Sequence, residues 1–266
     1  MSTSTTKGTA LITGASTGIG AIYADRLARR GYDLILVARG IDSLDKLAAS
    51  LSASTGRKVS TIKADLNVKA DLRAVEQRLA SDDSITMLVN NAGLGATAPL
   101  LDSNIDDMEA MISLNVTALT RLTHAVAPRL VARGAGAIIN ISSMVAVAPE
   151  VLNGIYGGSK AFVLALTQSM HKELSAKGVQ VQAVLPGAIA TPFWGLAGTP
   201  IEHLPAEIVM TADDLVDAAL AGFDQGEVVT LPSLPELADW NNFEAARLAM
   251  GPNLSRVKPA VRYNVK

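Results

Sequence analysis

Thr9-Ala10-Leu11-Ile12-Thr13-Gly14-Ala15-Ser16-Thr17-Gly18-Ile19-Gly20 is the stretch that decides the fold. Thr9–Ile12 reads as a short buried strand, and Gly18–Arg30 reads as a helix. Gly14, Gly18 and Gly20 frame the turn between them. A backbone that turns tightly and approaches a pyrophosphate has no room for side chains there, and the phosphate charge then rests on the helix N-terminus. A glycine turn without any ligand has the same spacing, so the rest of the chain must arbitrate.

Outward from that turn, short apolar runs alternate with longer amphipathic ones. Asp33–Ala38, Val59–Lys63, Met87–Asn90, Ala137–Ile141 and Val179–Leu185 read as further strands. Ser43–Ser54, Lys69–Ala80, Ile105–Arg133 and Gly157–Lys177 read as helices. Gly31, Gly134 and Gly178 fall where helix C-caps are expected. This alternation predicts an α/β fold, a doubly wound parallel sheet in one domain. Ala190–Met210 breaks the rhythm with Pro192, Pro200 and Pro205 around Phe193-Trp194. It reads as a mobile, lid-like insertion with an exposed aromatic pair rather than another sheet unit. A tail from about residue 232 to residue 266 carries Pro235, Pro252 and Pro259.

The composition narrows the function. Of 266 residues, 49% are hydrophobic and 18% charged, enough apolar material for a sheet covered on both faces. A formal charge of −2 lacks the basic footprint of a nucleic-acid binder. The absence of cysteine excludes disulfides and thiolate metal sites, and His124, His171 and His203 lack metal-ligand spacing, so no metal is expected. The Ser/Thr-rich start lacks the apolar core of a signal peptide, and no apolar run reaches the ~18 residues of a membrane span. A cytoplasmic protein acting on small molecules is the expectation.

The tip of the second strand bears on cofactor choice. Arg39 follows Ala38 where NAD sites commonly carry an acid, and a guanidinium fork suits a 2′-phosphate. Ser16 and Thr17 add hydroxyls on the same side. NADP(H) is favoured over NAD(H), with an ordinary solvated arginine as the alternative. Further on, Tyr156 and Lys160 stand four apart, on one face of a helix. A phenol of ordinary pKa ~10 is a poor base at neutral pH, and a neighbouring ammonium, together with the positive charge of an oxidised nicotinamide, is expected to lower it. Ser143, thirteen positions before Tyr156, can donate to a carbonyl oxygen and stabilise its developing charge, with Ser142 as rival. Asn115 interrupts an apolar helical run; taken alone, such a residue is often solvent-facing or locally bonded.

Taken together, the glycine turn, Asn90-Asn91-Ala92-Gly93, Ser143 and Tyr156-Gly157-Gly158-Ser159-Lys160 resemble the short-chain dehydrogenase/reductase family from about Lys7 to Val229. The resemblance implies a Rossmann-type domain that exchanges hydride between NADP(H) and a carbonyl or alcohol. It makes Tyr156 the acid/base, Lys160 its partner and the holder of the nicotinamide ribose, Ser143 the carbonyl-polarising group and Asn115 part of a water-mediated proton path. Gly14, Ser16, Thr17, Gly18, Ile19 and Gly20 would bind the cofactor, Ser16 and Thr17 at its 2′-phosphate, and Asp65-Leu66 would hold the adenine. Asn91, Ala92 and Gly93 would support the cofactor, and Pro186, Gly187, Ile189 and Thr191 would meet the nicotinamide carboxamide. Val145, Leu152, Phe193 and Trp194, with Leu94 and Leu196, would offer an apolar substrate wall, and Glu150 would face solvent. A homo-oligomer, dimer or tetramer, built on Ile105–Arg133 and Gly157–Lys177 is also implied. Gly158 departs from the family's usual Ala, which touches local rigidity alone. A non-catalytic NADP sensor and a nucleotide-sugar epimerase or dehydratase are the rival readings.

Overall fold

The computed structural model describes residues 7–265; the Ser/Thr-rich start through residue 6 lies outside the described residues. Seven strands form one parallel sheet: β1 (Thr9–Thr13), β2 (Asp33–Ala38), β3 (Val59–Lys63), β4 (Ile85–Asn90), β5 (Gly136–Ile141), β6 (Val179–Val184) and a later, short strand at Val229–Thr230. The chain lays β2 and β3 on one side of β1, then crosses back so that β4, β5 and β6 extend the other side. Such a reversal leaves a crevice at the carboxyl ends of β1 and β4, where open sheets take their ligands.

The strand sequences explain this order. β1 is buried at all five positions, and its side chains alternate between faces: Ala10 and Ile12 join one core, Leu11 the other. On the first face, α1 (Gly18–Arg29) and α2 (Ile41–Thr55) insert Tyr23, Leu27, Leu44 and Leu51. On the second, α3 (Lys69–Ser81) contributes Leu72, Val75 and Leu79. β3, at the sheet edge, is never fully buried, as its sequence Val-Ser-Thr-Ile-Lys suits. Gly134 and Gly178 adopt the left-handed conformation at helix ends that only glycine takes without strain.

The predicted helix over Ile105–Arg133 is not continuous. It is α4 (Ile105–Ile112), a π-helical segment at Ser113–Ala118 and α5 (Leu119–Arg133). The predicted Gly157–Lys177 helix begins three residues earlier, as α6 (Gly154–Leu174), and ends in a short 3-10 turn at Ser175–Lys177.

The 190–210 insertion is bracketed by a small strand pair, β7 (Ala188–Ile189) with β8 (Val209–Met210), and contains a short helix α7 (Phe193–Ala197). After it come α8 (Ala212–Asp224) and the seventh sheet strand, β9 (Val229–Thr230). Leu215, Val216, Ala219 and Leu220 of α8 complete the first core. Arg26 of α1 bonds Asp213 and Asp217 of α8 at 2.7 Å each.

Residues 233–266 form a separate unit around α9 (Leu237–Ala249). Within it the Trp240 and Phe243 rings lie 5.4 Å apart and Arg247 pairs with Glu244 at 2.7 Å. Among the described residues no helix is long and apolar enough to cross a membrane.

Candidate active site

The glycine turn is clamped to the end of β4. Asn91 Nδ2 donates to the carbonyls of Thr13 and Gly14 at 2.9 and 3.0 Å, while Thr13 Oγ1 accepts from the Asn91 and Ala92 amides at 3.0 Å each. The clamp leaves no space for side chains: a Cβ on Gly20 would stand 2.4 Å from the Gly14 carbonyl oxygen. Gly14 and Gly18 also take positive φ, +64° and +54°. Thr17 precedes α1 without capping it through its side chain, so the first-turn N–H groups of that helix have no hydroxyl cap. Gly18 faces the Thr191 methyl, 3.1 Å from where its Cβ would be. Across the crevice, Arg39 is exposed at the end of β2 and has no hydrogen-bond partner among the described residues. Asp65 accepts the Asn67 amide at 3.0 Å, and Leu66 is buried beside it.

The other half of the site gathers at the ends of β5 and β6. Ser142 and Ser143 leave β5 in opposite roles. Ser142 Oγ donates to the Lys160 carbonyl at 2.8 Å, which ties it to the backbone of α6. Ser143 instead has its hydroxyl near enough to the Tyr156 phenol to favour the phenolate, and its Oγ lies 3.5 Å from the Pro186 carbonyl. That carbonyl also takes the Met144 amide at 2.9 Å, which fixes the start of the 186–191 segment against β5.

Tyr156 sits in the first turn of α6, whose N-cap is Asn153. Asn153 Oδ1 accepts the amides of Ile155 and Tyr156 at 2.9 and 3.2 Å, and its Nδ2 donates to the Ala98 carbonyl at 2.7 Å. The sequence reading missed this residue because it began the helix at Gly157; an Asn just before a helical run was the available signal. Lys160 is buried one turn on, with Nζ 2.9 Å from the Ile141 carbonyl and 5.8 Å from the Tyr156 ring centre.

Burial dominates the electrostatics of the pair. Burial pushes the Tyr156 phenol up to about 12, partly offset by the Ser143 hydroxyl, and no lowering by Lys160 accompanies it. Lys160 is itself pulled down to about 8 by burial. Four-residue spacing predicts proximity; it says nothing of the desolvation that both groups share.

Asn115 lies within the π-helical segment, a local widening often found at functional sites. Its Oδ1 accepts the Leu94 amide at 2.9 Å, and its Nδ2 donates to the Leu94 carbonyl at 2.9 Å and to Ser159 Oγ at 3.0 Å. Ser159 Oγ in turn donates to the Tyr156 carbonyl at 2.8 Å. Gly93 lies between them: a Cβ there would be 3.2 Å from Asn115 Oδ1 and 3.4 Å from Lys160 Nζ.

An apolar wall adjoins the phenol. Ala96, Met108, Met111, Val145 and Tyr156 form a buried cluster, with Leu94, Leu152 and Phe193 packed against it. The Phe193 ring centre is 6.0 Å from that of Tyr156. Trp194, expected to be exposed, is 7% exposed and donates its Nε1–H to the Ile189 carbonyl at 2.9 Å. Leu196, expected on the substrate wall, is 75% exposed and lies outside that cluster. Glu150 faces solvent, as do His124, His171 and His203.

A doubly wound sheet with a glycine-lined crevice at its switch point, and a buried tyrosine–lysine pair beside it, defines a dinucleotide-binding class of domain. The particular family follows from comparison. Residues 8–199 match the short chain dehydrogenase family, and the chain belongs to it. A short-chain dehydrogenase from Sphingobium yanoikuyae, solved in complex with NADPH, is 50% identical with a TM-score of 0.92, over 95% of this chain and 98% of that one. A bulky-bulky ketone specific alcohol dehydrogenase from Comamonas testosteroni is 45% identical with a TM-score of 0.89, over 97% of this chain and 99% of that one. Human 17-beta-hydroxysteroid dehydrogenase type 3 is 34% identical over 215 residues, which is 79% of this chain and 66% of that protein.

Proposed function

We propose that the protein is an NADP(H)-dependent oxidoreductase that interconverts an apolar ketone or aldehyde with its alcohol. The observation that carries the reading is the convergence of the Ser143 and Tyr156 hydroxyls with the buried Lys160 ammonium, beside a crevice suited to a dinucleotide. The donor set fits that cofactor: uncapped α1 amides and the glycine turn for a pyrophosphate, with Ser16, Thr17 and the partner-free Arg39 for a 2′-phosphate. Asp65 and the Leu66 amide would hold the adenine, Asn91, Ala92 and Gly93 would back the ring system, and Lys160 would hold the nicotinamide ribose. Pro186, Gly187, Ile189 and Thr191 would hold the carboxamide. NADPH in the Sphingobium structure supports the same choice.

When bound, the cofactor supplies the hydride that reaches the carbonyl carbon. Ser143 donates a hydrogen bond to the carbonyl oxygen as negative charge develops there. Tyr156 gives that oxygen its proton, so that the carbonyl becomes an alcohol and the tyrosine a phenolate. A phenol held near 12 is fully protonated at neutral pH and ready to donate. Lys160, held near 8, is mainly an ammonium at pH 7 and stabilises the phenolate as it forms. Asn115, fixed by Leu94 and Ser159, orders the route by which the proton is replaced. The apolar wall excludes water from the reacting carbonyl and selects hydrophobic substituents. A relative described as specific for bulky-bulky ketones supports that substrate class.

The test is NADPH oxidation, followed by absorbance, over a panel of aryl and alkyl ketones. Turnover of hydrophobic ketones with NADPH preferred over NADH is expected. Tight NADPH binding with no turnover of any ketone, aldehyde or alcohol would make the protein a sensor instead.

A further inference from the structure

Gly95 is a glycine with no backbone reason to be one, since it is absent from the positive-φ positions. The steric reason is Phe193. A Cβ on Gly95 would lie 2.1 Å from Phe193 Cζ, 2.6 Å from Cε2 and 3.1 Å from Cε1. The phenyl ring therefore stands edge-on against the bare Cα of Gly95.

The ring is held there from both sides. Trp194 meets it edge to face at 5.7 Å and is itself tethered to the Ile189 carbonyl. Two residues beyond Gly95, Thr97 clasps the end of α7: its amide and its Oγ1 both donate to the Ala197 carbonyl at 3.0 Å, and Thr199 Oγ1 donates to Thr97 Oγ1 at 2.9 Å. Withdrawing Phe193 from Gly95 would strain these bonds. On the site side, the ring's aromatic neighbour is Tyr156, whose ring centre is 6.0 Å away at an interplanar angle of 42°.

We propose that Gly95 and Phe193 are a matched specificity pair, in which the missing side chain of Gly95 sets how far the Phe193 ring stands from Tyr156 and hence how large a carbonyl substituent fits beside the phenol. The inference rests on the proposed reaction at Tyr156. It makes Phe193 the wall that limits the second substituent of a ketone and Gly95 the seat that keeps that wall clear of the reacting oxygen. A methyl at residue 95 crowds the ring toward the phenol; removing the ring makes the same methyl harmless and opens the pocket.

The experiment is a double-mutant cycle read as kcat/KM with NADPH on an aryl methyl ketone and a diaryl ketone. Phe193→Ala should raise the ratio of diaryl to methyl ketone kcat/KM by about tenfold, and Gly95→Ala should lower kcat/KM for both by about tenfold, within the range for directly packed pairs. In Gly95→Ala/Phe193→Ala the glycine substitution should cost less than about twofold. A second reading needs no turnover: in a Trp240→Phe background Trp194 is the one remaining tryptophan, and Gly95→Ala should shift its emission to the red. Additive costs in the cycle, or an unshifted emission with Gly95→Ala folded, would overturn the pair while leaving the oxidoreductase reading intact. An unmodified protein that binds NADPH yet reduces no ketone would instead overturn that reading, and the emission arm would still judge the packing.

Discussion

Lys160 should make the folded protein less stable at neutral pH than it would be with an apolar side chain in its place. Its ammonium is buried and meets one carbonyl, that of Ile141 at 2.9 Å. Burial lowers its pKa from 10.5 to about 8, so the unfolded chain holds the proton more tightly than the native one. Below about pH 8 both states are protonated and the native state bears the full penalty. Between about 8 and 10.5 the native state has released the proton while the unfolded chain still binds it, so stability rises with pH across that window. At about 1.4 kcal/mol per pH unit, the gap corresponds to about 3 kcal/mol. Lys160→Met keeps the side-chain length, removes the charge and gives up a hydrogen bond worth about 1 kcal/mol. The variant should therefore be about 2 kcal/mol more stable than the parent at pH 7. By pH 10.5 that advantage should be gone and the sign reversed. Urea unfolding of both proteins at matched concentration, at pH 7 and pH 10.5, measures the difference. A variant that is less stable by the same amount at both values would refute the reasoning.

Other consequences can be checked as directly. Gly158 is exposed in α6 with nothing within 4 Å of its missing Cβ, so Gly158→Ala should stabilise by about 0.5–1 kcal/mol in urea unfolding, whereas Gly157→Ala, whose Cβ would stand 3.0 Å from Pro149 Cβ, should destabilise by about 1 kcal/mol. Arg39→Ala should raise KM for NADPH about tenfold, the worth of one charge-assisted hydrogen bond, and leave KM for NADH nearly unchanged; equal effects on both would make Arg39 a bystander. Asn153→Ala removes the α6 cap and the tie to Ala98, and should cost about 1–2 kcal/mol of stability along with a loss of kcat, read by denaturation and by steady-state kinetics.

The centre of the sheet was legible because β1, β2 and β4 are buried nearly throughout and so appear as almost unbroken apolar runs; Thr9–Thr13 needs no periodicity to be recognised. Strands of two residues carry no such signal, and β7, β8 and β9 went unseen for that reason. The π-helical break at Ser113–Ala118 was hidden for a different cause. Asn115 bonds Leu94, 21 residues back, and Ser159, 44 residues on, and local sequence does not announce either contact. Trp194 read as exposed because prolines and glycines surround it; its indole is instead buried and donates to the Ile189 carbonyl. The grouping of Ser143, Tyr156 and Lys160 was legible from spacing. Their shared burial, which raises one pKa and lowers the other, needed the fold.

The central claim is that Tyr156 passes the proton to the carbonyl oxygen, and Tyr156→Phe tests it most directly because the ring and its packing remain. NADPH binding should be retained, measured by cofactor fluorescence, while single-turnover reduction of a ketone the parent accepts falls by about a thousandfold or more, in the range expected for loss of a general acid. A variant that binds NADPH and still reduces that ketone within about tenfold of the parent rate would contradict the account.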